Sequence, residues 1–206
     1  MSDPTRVGVL VSGAGTNLQA ILDTVHRREG IEVVGVAANR PEAPALGRAA
    51  RAGVPTAVFE ETAYPDRAAR DVSIADWLLQ RGAGQVALAG YMQLLSPRFL
   101  ARFPGAVINV HPALLPAFPG LDAIGQAIAH GVKVFGVTVH LVDEGVDSGP
   151  IVLQRAVELP DARRAEDVRQ RLRPIEHELL VEGIRLLARG AIALDPDNPR
   201  RVVISG

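Results

Sequence analysis

A chain of 206 residues, 48% hydrophobic and 22% charged, is long enough for one substantial core. A formal net charge of −1 offers no basic field for nucleic acid, and the absence of cysteine excludes disulfides, thiolate nucleophiles and cysteine metal sites. Met1-Ser2-Asp3-Pro4 has no leader character and no run approaches the ~18 apolar residues of a membrane span, so a cytoplasmic protein with neither nucleic-acid nor membrane partners is expected.

Arg6 to Val11 reads as a strand that ends in Ser12-Gly13-Ala14-Gly15-Thr16-Asn17, after which Leu18, Ile21, Leu22 and Val25 recur at helical spacing. Glycines let the backbone approach an anion, and the free amides opening a helix favour phosphate, which makes this loop a phosphate-site candidate. A tight strand-to-helix turn uses glycines as well. Leu18 occupies the place of a third dinucleotide-type glycine, and the only lysine, Lys133, is far from a Walker position.

Ile31 to Ala38 is a second apolar strand, followed by a short helix around Leu46 to Ala52 and a third strand, Thr56 to Phe59. A helix from Asp66 to about Gln80 precedes a fourth strand, Val86 to Ala89. Strands alternating with helices imply right-handed crossovers and an α/β, doubly wound, mostly parallel sheet, with ligands at the carboxyl ends of its strands. There Gly90 to Pro97 is unusually apolar, which suits either a flat organic ring or a buried corner.

The fifth strand opens Val107-Ile-Asn109-Val-His111-Pro112. Asn109 and His111 stand two apart, so both leave one face roughly 7 Å apart, where they can act on one atom. Pro112 ends the ladder, and the loop to Gly120 is punctuated by further prolines. On these two residues alone, a loop-bonded asparagine and a satisfied core histidine explain the pattern equally well.

A helix from Asp122 to His130 follows, then a strand Val134 to Val142 carrying Thr138 and His140, and the acidic loop Asp143 to Pro150. Such loops are usually solvated, and without oxygen ligands at calcium-loop spacing no metal is expected. Ile151 to Val157 is a further strand. Ala165 to about Arg189 is a long helix that Pro174 interrupts, beside the polar cluster Arg173, Glu176 and His177. Beyond Gly190, Asp195 to Pro199 reads as a terminal loop and Val202 to Ile204 as a small edge strand.

Ser12-Gly13-x-Gly15-Thr16-Asn17-Leu18-Gln19, Ala89-Gly90-Tyr91-Met92, Asn109-x-His111-Pro112-x-Leu114-Leu115-Pro116 and Asp147-Ser148-Gly149-Pro150 together resemble the phosphoribosylglycinamide formyltransferases, a folate-dependent formyltransferase family of purine synthesis. The match spans nearly the whole chain. It implies a Rossmann-like formyltransferase fold with antiparallel additions in the C-terminal half. It also implies a single catalytic domain over 1–206, made of a phosphate-binding half (1–105), a catalytic and folate-binding half (106–190) and a terminal tail (191–206).

The implied reaction moves the formyl group of 10-formyltetrahydrofolate, the co-substrate, to the amine of 5-phosphoribosylglycinamide on the way to IMP, with these small molecules as partners, no metal, and a monomer or homodimer. By the resemblance Asn109, His111 and Asp147 are catalytic. Gly15, Thr16, Asn17, Arg173 and Glu176 bind the ribonucleotide. Arg67, Met92, Gln93, Leu94, Leu95, Asn109, Asp143 and Glu144 hold the folate. Direct attack by the amine would create an oxyanion stabilised by Asn109 and His111, with Asp147 orienting the histidine and favouring its charged form. The sequence departs from the family at Gln93, where many relatives carry arginine, at Asp122 and Ile124, where histidines are common, and at Ala117, where lysine is frequent.

Overall fold

Strands and helices alternate along the computed structural model, which describes residues 3–205. The leader reading at Met1 and Ser2, and the last residue of the tail, Gly206, lie outside the described residues. The chain forms two compact units, Met1–Ile108 and Asn109–Gly206.

The first unit contains β1 (Thr5–Val11), α1 (Thr16–Thr24), β2 (Ile31–Ala38), α2 (Pro44–Arg51), β3 (Thr56–Val58), α3 (Arg67–Leu79), β4 (Gln85–Leu88) and α4 (Pro97–Leu100). A single 3-10 turn at Glu61–Ala63, which periodicity did not reveal, precedes α3. The strand order is β3-β2-β1-β4, and every pairing is parallel. Strands covered on both faces must be apolar throughout, and Val7, Val9, Leu10 and Val11 of β1 are all buried. Helix α3 lies close on β1 and β2 because Gly8 and Gly35 lack a Cβ. One added at either position would meet Leu78 or Trp77 at 2.7 Å.

The chain runs outward from β1 to β3 and then returns to the other side of β1 with β4. This reversal is the switch point of a doubly wound sheet, the place where such sheets characteristically bind their ligands. Those two loops are Ser12–Gly15 and Ala89–Ser96.

The second unit takes over within β5 (Val107–His111) and continues through α5 (Ala123–Ala129), β6 (Val134–Leu141), β7 (Ile151–Glu158), α6 (Ala165–Ala188), β8 (Ile192–Asp195) and β9 (Asn198–Ile204). Its order is β5-β6-β7-β9-β8, with β6/β7 and β8/β9 antiparallel and β7/β9 parallel. The doubly wound parallel arrangement read from the alternation of elements and the antiparallel additions implied by the resemblance are both present. Helix α6 contributes Val168, Leu172, Leu180 and Ile184, all nearly inaccessible, to a core shared with β6 and β7.

Two local expectations are corrected. Helix α6 is unbroken through Pro174. The apolar positions on both sides of the proline keep one helix face buried, and that burial outweighs the one backbone hydrogen bond proline removes. The tail is a hairpin rather than a loop with one short strand. The Asp195 carboxylate accepts the Asp197 amide at 2.9 Å and closes a tight turn, so β8 and β9 pair from Ile192↔Ile204 to Asp195↔Asn198.

Candidate active site

In the first unit, Gly15 stands as the N-cap of α1 at φ 73°, a left-handed conformation natural to glycine, and no side chain caps the helix. A Cβ at Gly15 would lie 2.6 Å from the Ala45 Cβ, so the loop rests directly on α2. The Gly13 carbonyl accepts the Ala45 amide at 3.2 Å, and the Ala14 carbonyl accepts Arg48 Nε at 2.8 Å. In a planar trans peptide N–H and C=O point opposite ways, so the Ala14 and Gly15 amides face away from α2. Successive outward amides followed by an uncapped helix start form an anion-binding concavity. Asn17 is buried and Thr16 half-buried at its rim.

The apolar loop after β4 is tied to this turn. Ser12 Oγ accepts the Met92 amide at 2.9 Å, and the Ser12 amide donates to the Gly90 carbonyl at 3.2 Å. Met92 and Leu94 are 61% and 44% exposed while Leu95 is 5%, so the loop offers two apolar side chains above an anchored third. The anchor is a fully buried ion pair that sequence reading missed. Asp71 Oδ1 accepts Arg70 Nη2 at 2.8 Å and Nε at 3.1 Å, while Oδ2 accepts the Ser96 amide at 2.6 Å. Arg70 also donates to Gln93 Oε1, and Gln93 Nε2 donates to Glu61 at 3.2 Å. Gln93 is therefore held from below by a cation and from the side by a carboxylate. Burial pushes the neighbouring Tyr91 phenol up to about 12, with smaller opposing effects of Arg70 and of Asp71 and Glu61, which keeps it neutral. Arg67 is exposed at the start of α3.

In the second unit the residues expected to be catalytic converge. Asn109 and His111 leave the same face of β5, and Asp147 arrives on the loop after β6 at φ 48°, a left-handed conformation that aspartate tolerates better than most residues. Asp147 Oδ2 accepts the Gly120 amide at 2.8 Å and lies 3.2 Å from His111 Nδ1. Its Oδ1 accepts Asn109 Nδ2 at 3.2 Å and lies 3.5 Å from His140 Nε2. One carboxylate thus gathers three donors, from Gly120, His111 and Asn109, with the His140 ring beside them. Burial pushes the Asp147 carboxyl up, but the neighbouring His140 ring, the Gly120 amide bond and the His111 ring outweigh it and hold the group below the usual carboxylate range.

The tautomers follow from the acceptors. His111 Nε2 is 2.8 Å from the Phe118 carbonyl, which can only accept, so Nε2 carries a proton. With Nδ1 protonated as well, the Asp147 contact is an ion pair. His140 Nδ1 donates to the Leu141 carbonyl at 2.8 Å, which leaves Nε2 to accept the second Asn109 amide hydrogen at 3.2 Å. His140 belongs to this cluster although only the strand carrying it was singled out in the sequence. The signal was there: Thr138 and His140 repeat on β6 the two-apart polar spacing of Asn109 and His111. Thr138 does a different job, donating to the Ala113 carbonyl at 2.7 Å and accepting the Leu115 amide at 3.1 Å to hold the loop after β5.

The acidic loop is a turn. Asp143 Oδ1 accepts Ser148 Oγ at 2.7 Å and the Gly145 amide at 3.1 Å, and Glu144 is exposed. A Cβ at Gly149 would fall 1.8 Å from the Leu141 carbonyl, so only glycine lets the chain double back and deliver Asp147. Among the described residues no group of three or more His, Asp or Glu is arranged to hold a metal ion. On α6, Arg173 lies 4.0 Å from Glu166, and Glu176 follows one turn later on the same helical face, both half-buried. Burial, and then the Arg173 charge, pushes the adjacent His177 down.

Residues 5–184 match the model of the Formyl transferase family. The glycinamide ribonucleotide transformylase 1 of Symbiobacterium toebii superposes with a TM-score of 0.95 at 46% identity, covering 100% of this chain and 96% of that one. The phosphoribosylglycinamide formyltransferase of Mycobacterium tuberculosis H37Rv is 41% identical over 94% of this chain and 89% of its own length. The Bacillus subtilis protein of the same name is 39% identical over 84% and 89%. With the Asn109, His111 and Asp147 cluster assembled on this fold, the chain belongs to the formyl transferase family.

Proposed function

We propose that this chain transfers the formyl group of 10-formyltetrahydrofolate to the amine of 5-phosphoribosylglycinamide, in the cytoplasm, as a step of purine synthesis. The observation carrying this reading is the convergence of Asn109 and His111 on one strand face with Asp147 between them. Relatives that share the chain's length at about 40% identity bear the name of this activity. The outward amides at Ala14 and Gly15 suit the acceptor's phosphate, with Arg173 and Glu176 as further ribonucleotide contacts. Met92, Leu94 and Leu95 suit the flat pterin, while Arg67, Gln93 and the Asp143–Glu144 backbone take its polar groups.

In this mechanism the neutral acceptor amine attacks the formyl carbon, its lone pair forms the new C–N bond, and the carbonyl π pair moves onto oxygen. The oxyanion takes one Asn109 amide hydrogen and a proton-bearing nitrogen of His111. The Asn109 bonds to Asp147 and His140 are both 3.2 Å, at the long end of the range, so exchanging one for a bond to a full negative charge is favourable. His111 exchanges its Phe118 carbonyl contact in the same way. Collapse of the intermediate breaks the bond to the folate nitrogen, which leaves with a proton, and the attacking nitrogen loses its own. No metal takes part in these steps. Preorganised donors of this kind are each worth about 10²–10³ in rate.

The test follows tetrahydrofolate production and formylated product with and without the ribonucleotide. Transfer should require the ribonucleotide. Equal folate turnover in its absence would mean that water is the acceptor and would overturn the assignment.

A further inference from the structure

Arg48 lies outside every residue assigned above, and the loop it touches is the one proposed to bind phosphate. It projects from α2, is half-buried, and spends two of its three nitrogens on that loop and the helix leaving it. Nε donates to the Ala14 carbonyl at 2.8 Å and Nη1 to Gln19 Oε1 at 3.1 Å. Gln19 Nε2 in turn donates to Asp23 at 2.8 Å. The guanidinium stem also supports the turn from behind, since a Cβ at Gly15 would be 3.3 Å from Arg48 Cδ as well as 2.6 Å from Ala45.

Two consequences follow. Without Arg48 the Ala14 carbonyl loses the bond that draws it toward α2, and the Ala14–Gly15 peptide is free to rotate its amide out of the concavity. Glycine at φ 73° offers little resistance to such a rotation. The guanidinium also adds a full positive charge beside a site otherwise built from partial charges on amides. We propose that Arg48 is a positioning residue for the acceptor's phosphate, aiming the Gly15 amide through the Ala14 carbonyl and contributing its charge to the grip. This rests on the phosphate reading of the loop given above.

The experiment compares wild type, Arg48→Met and Arg48→Lys with two acceptors, 5-phosphoribosylglycinamide and its dephosphorylated riboside, with formyl transfer as readout. The methionine keeps the packed stem and loses every donor. Arg48→Met should raise the ribonucleotide KM about tenfold or more, leaving kcat and the folate KM within about twofold. Its kcat/KM for the riboside should be unchanged, so the preference for the phosphorylated acceptor shrinks. Arg48→Lys should recover part of the loss through its charge. An unchanged ribonucleotide KM in Arg48→Met, or a proportional fall for both acceptors, overturns the role of Arg48. Failure of the wild type to use the ribonucleotide at all overturns instead the function on which it rests.

Discussion

Replacing Asp147 by asparagine removes a negative charge from the point where the Gly120 amide, His111, Asn109 and His140 converge at 2.8, 3.2, 3.2 and 3.5 Å. An amide has one accepting oxygen. Whichever way it turns, its NH2 group opposes either the Gly120 and His111 donors or the Asn109 amide. The charge-assisted bond from Gly120 alone is worth about 1.5–3 kcal/mol, and a leftover donor facing a donor adds to the loss. His111 also loses the acceptor that faces its Nδ1 and fixes the orientation of the ring. We expect kcat to fall about 10²–10⁴-fold, equivalent to ~3–5 kcal/mol of barrier, with the ribonucleotide KM nearly constant.

The pH dependence of stability has a definite sign. The Asp147 carboxyl is held below its ordinary value in the fold, so its contribution is fully present above the unfolded carboxylate pKa of about 3.9 and is lost as pH falls through the folded value. Denaturant melts of wild type and Asp147→Asn should therefore differ by a constant amount near neutrality and converge only in that acid window. Rapid-quench single turnovers, which isolate transfer from product release, give the rate arm. A single-turnover rate within about threefold of wild type would refute the central role given to this carboxylate.

Asp71→Asn should lower stability by about 3–5 kcal/mol, because Arg70 keeps its charge in a fully buried place, and should raise the folate KM as the loop ending at Ser96 loosens; thermal melts and folate titration check both. Gln93→Arg sets a second guanidinium against Arg70, so Tm should drop, most at low salt, while Glu61 offers compensation and any gain in folate affinity fades with ionic strength. Gly15→Ala combines a left-handed alanine, costing about 1–2 kcal/mol, with a 2.6 Å contact to Ala45, and should raise the ribonucleotide KM more than the folate KM. Arg173→Ala should likewise raise the ribonucleotide KM and spare the folate KM, with an unchanged value removing Arg173 from the site.

The sequence by itself determined the alternation of strand and helix, because apolar runs and 3.6-residue periodicity are local properties of the chain. It also placed Asn109 and His111 on one side of a strand, since the two-residue pleat requires it. Its motifs brought the family and the identity of Asp147. Tertiary structure decided which groups meet. That Asp147 also gathers Gly120 and His140 depends on two loops and a neighbouring strand far apart in sequence, and no local spacing encodes it. The Arg70–Asp71 pair looked like an ordinary polar step on a helix, yet it is buried because α3 and the loop ending at Ser96 close over it. The tail read as loop because Pro and Asp dominate it, and it became a hairpin when β9 found a partner edge on β7. Pro174 shows the same hierarchy: propensity marks a break, while burial of the α6 face keeps the helix whole.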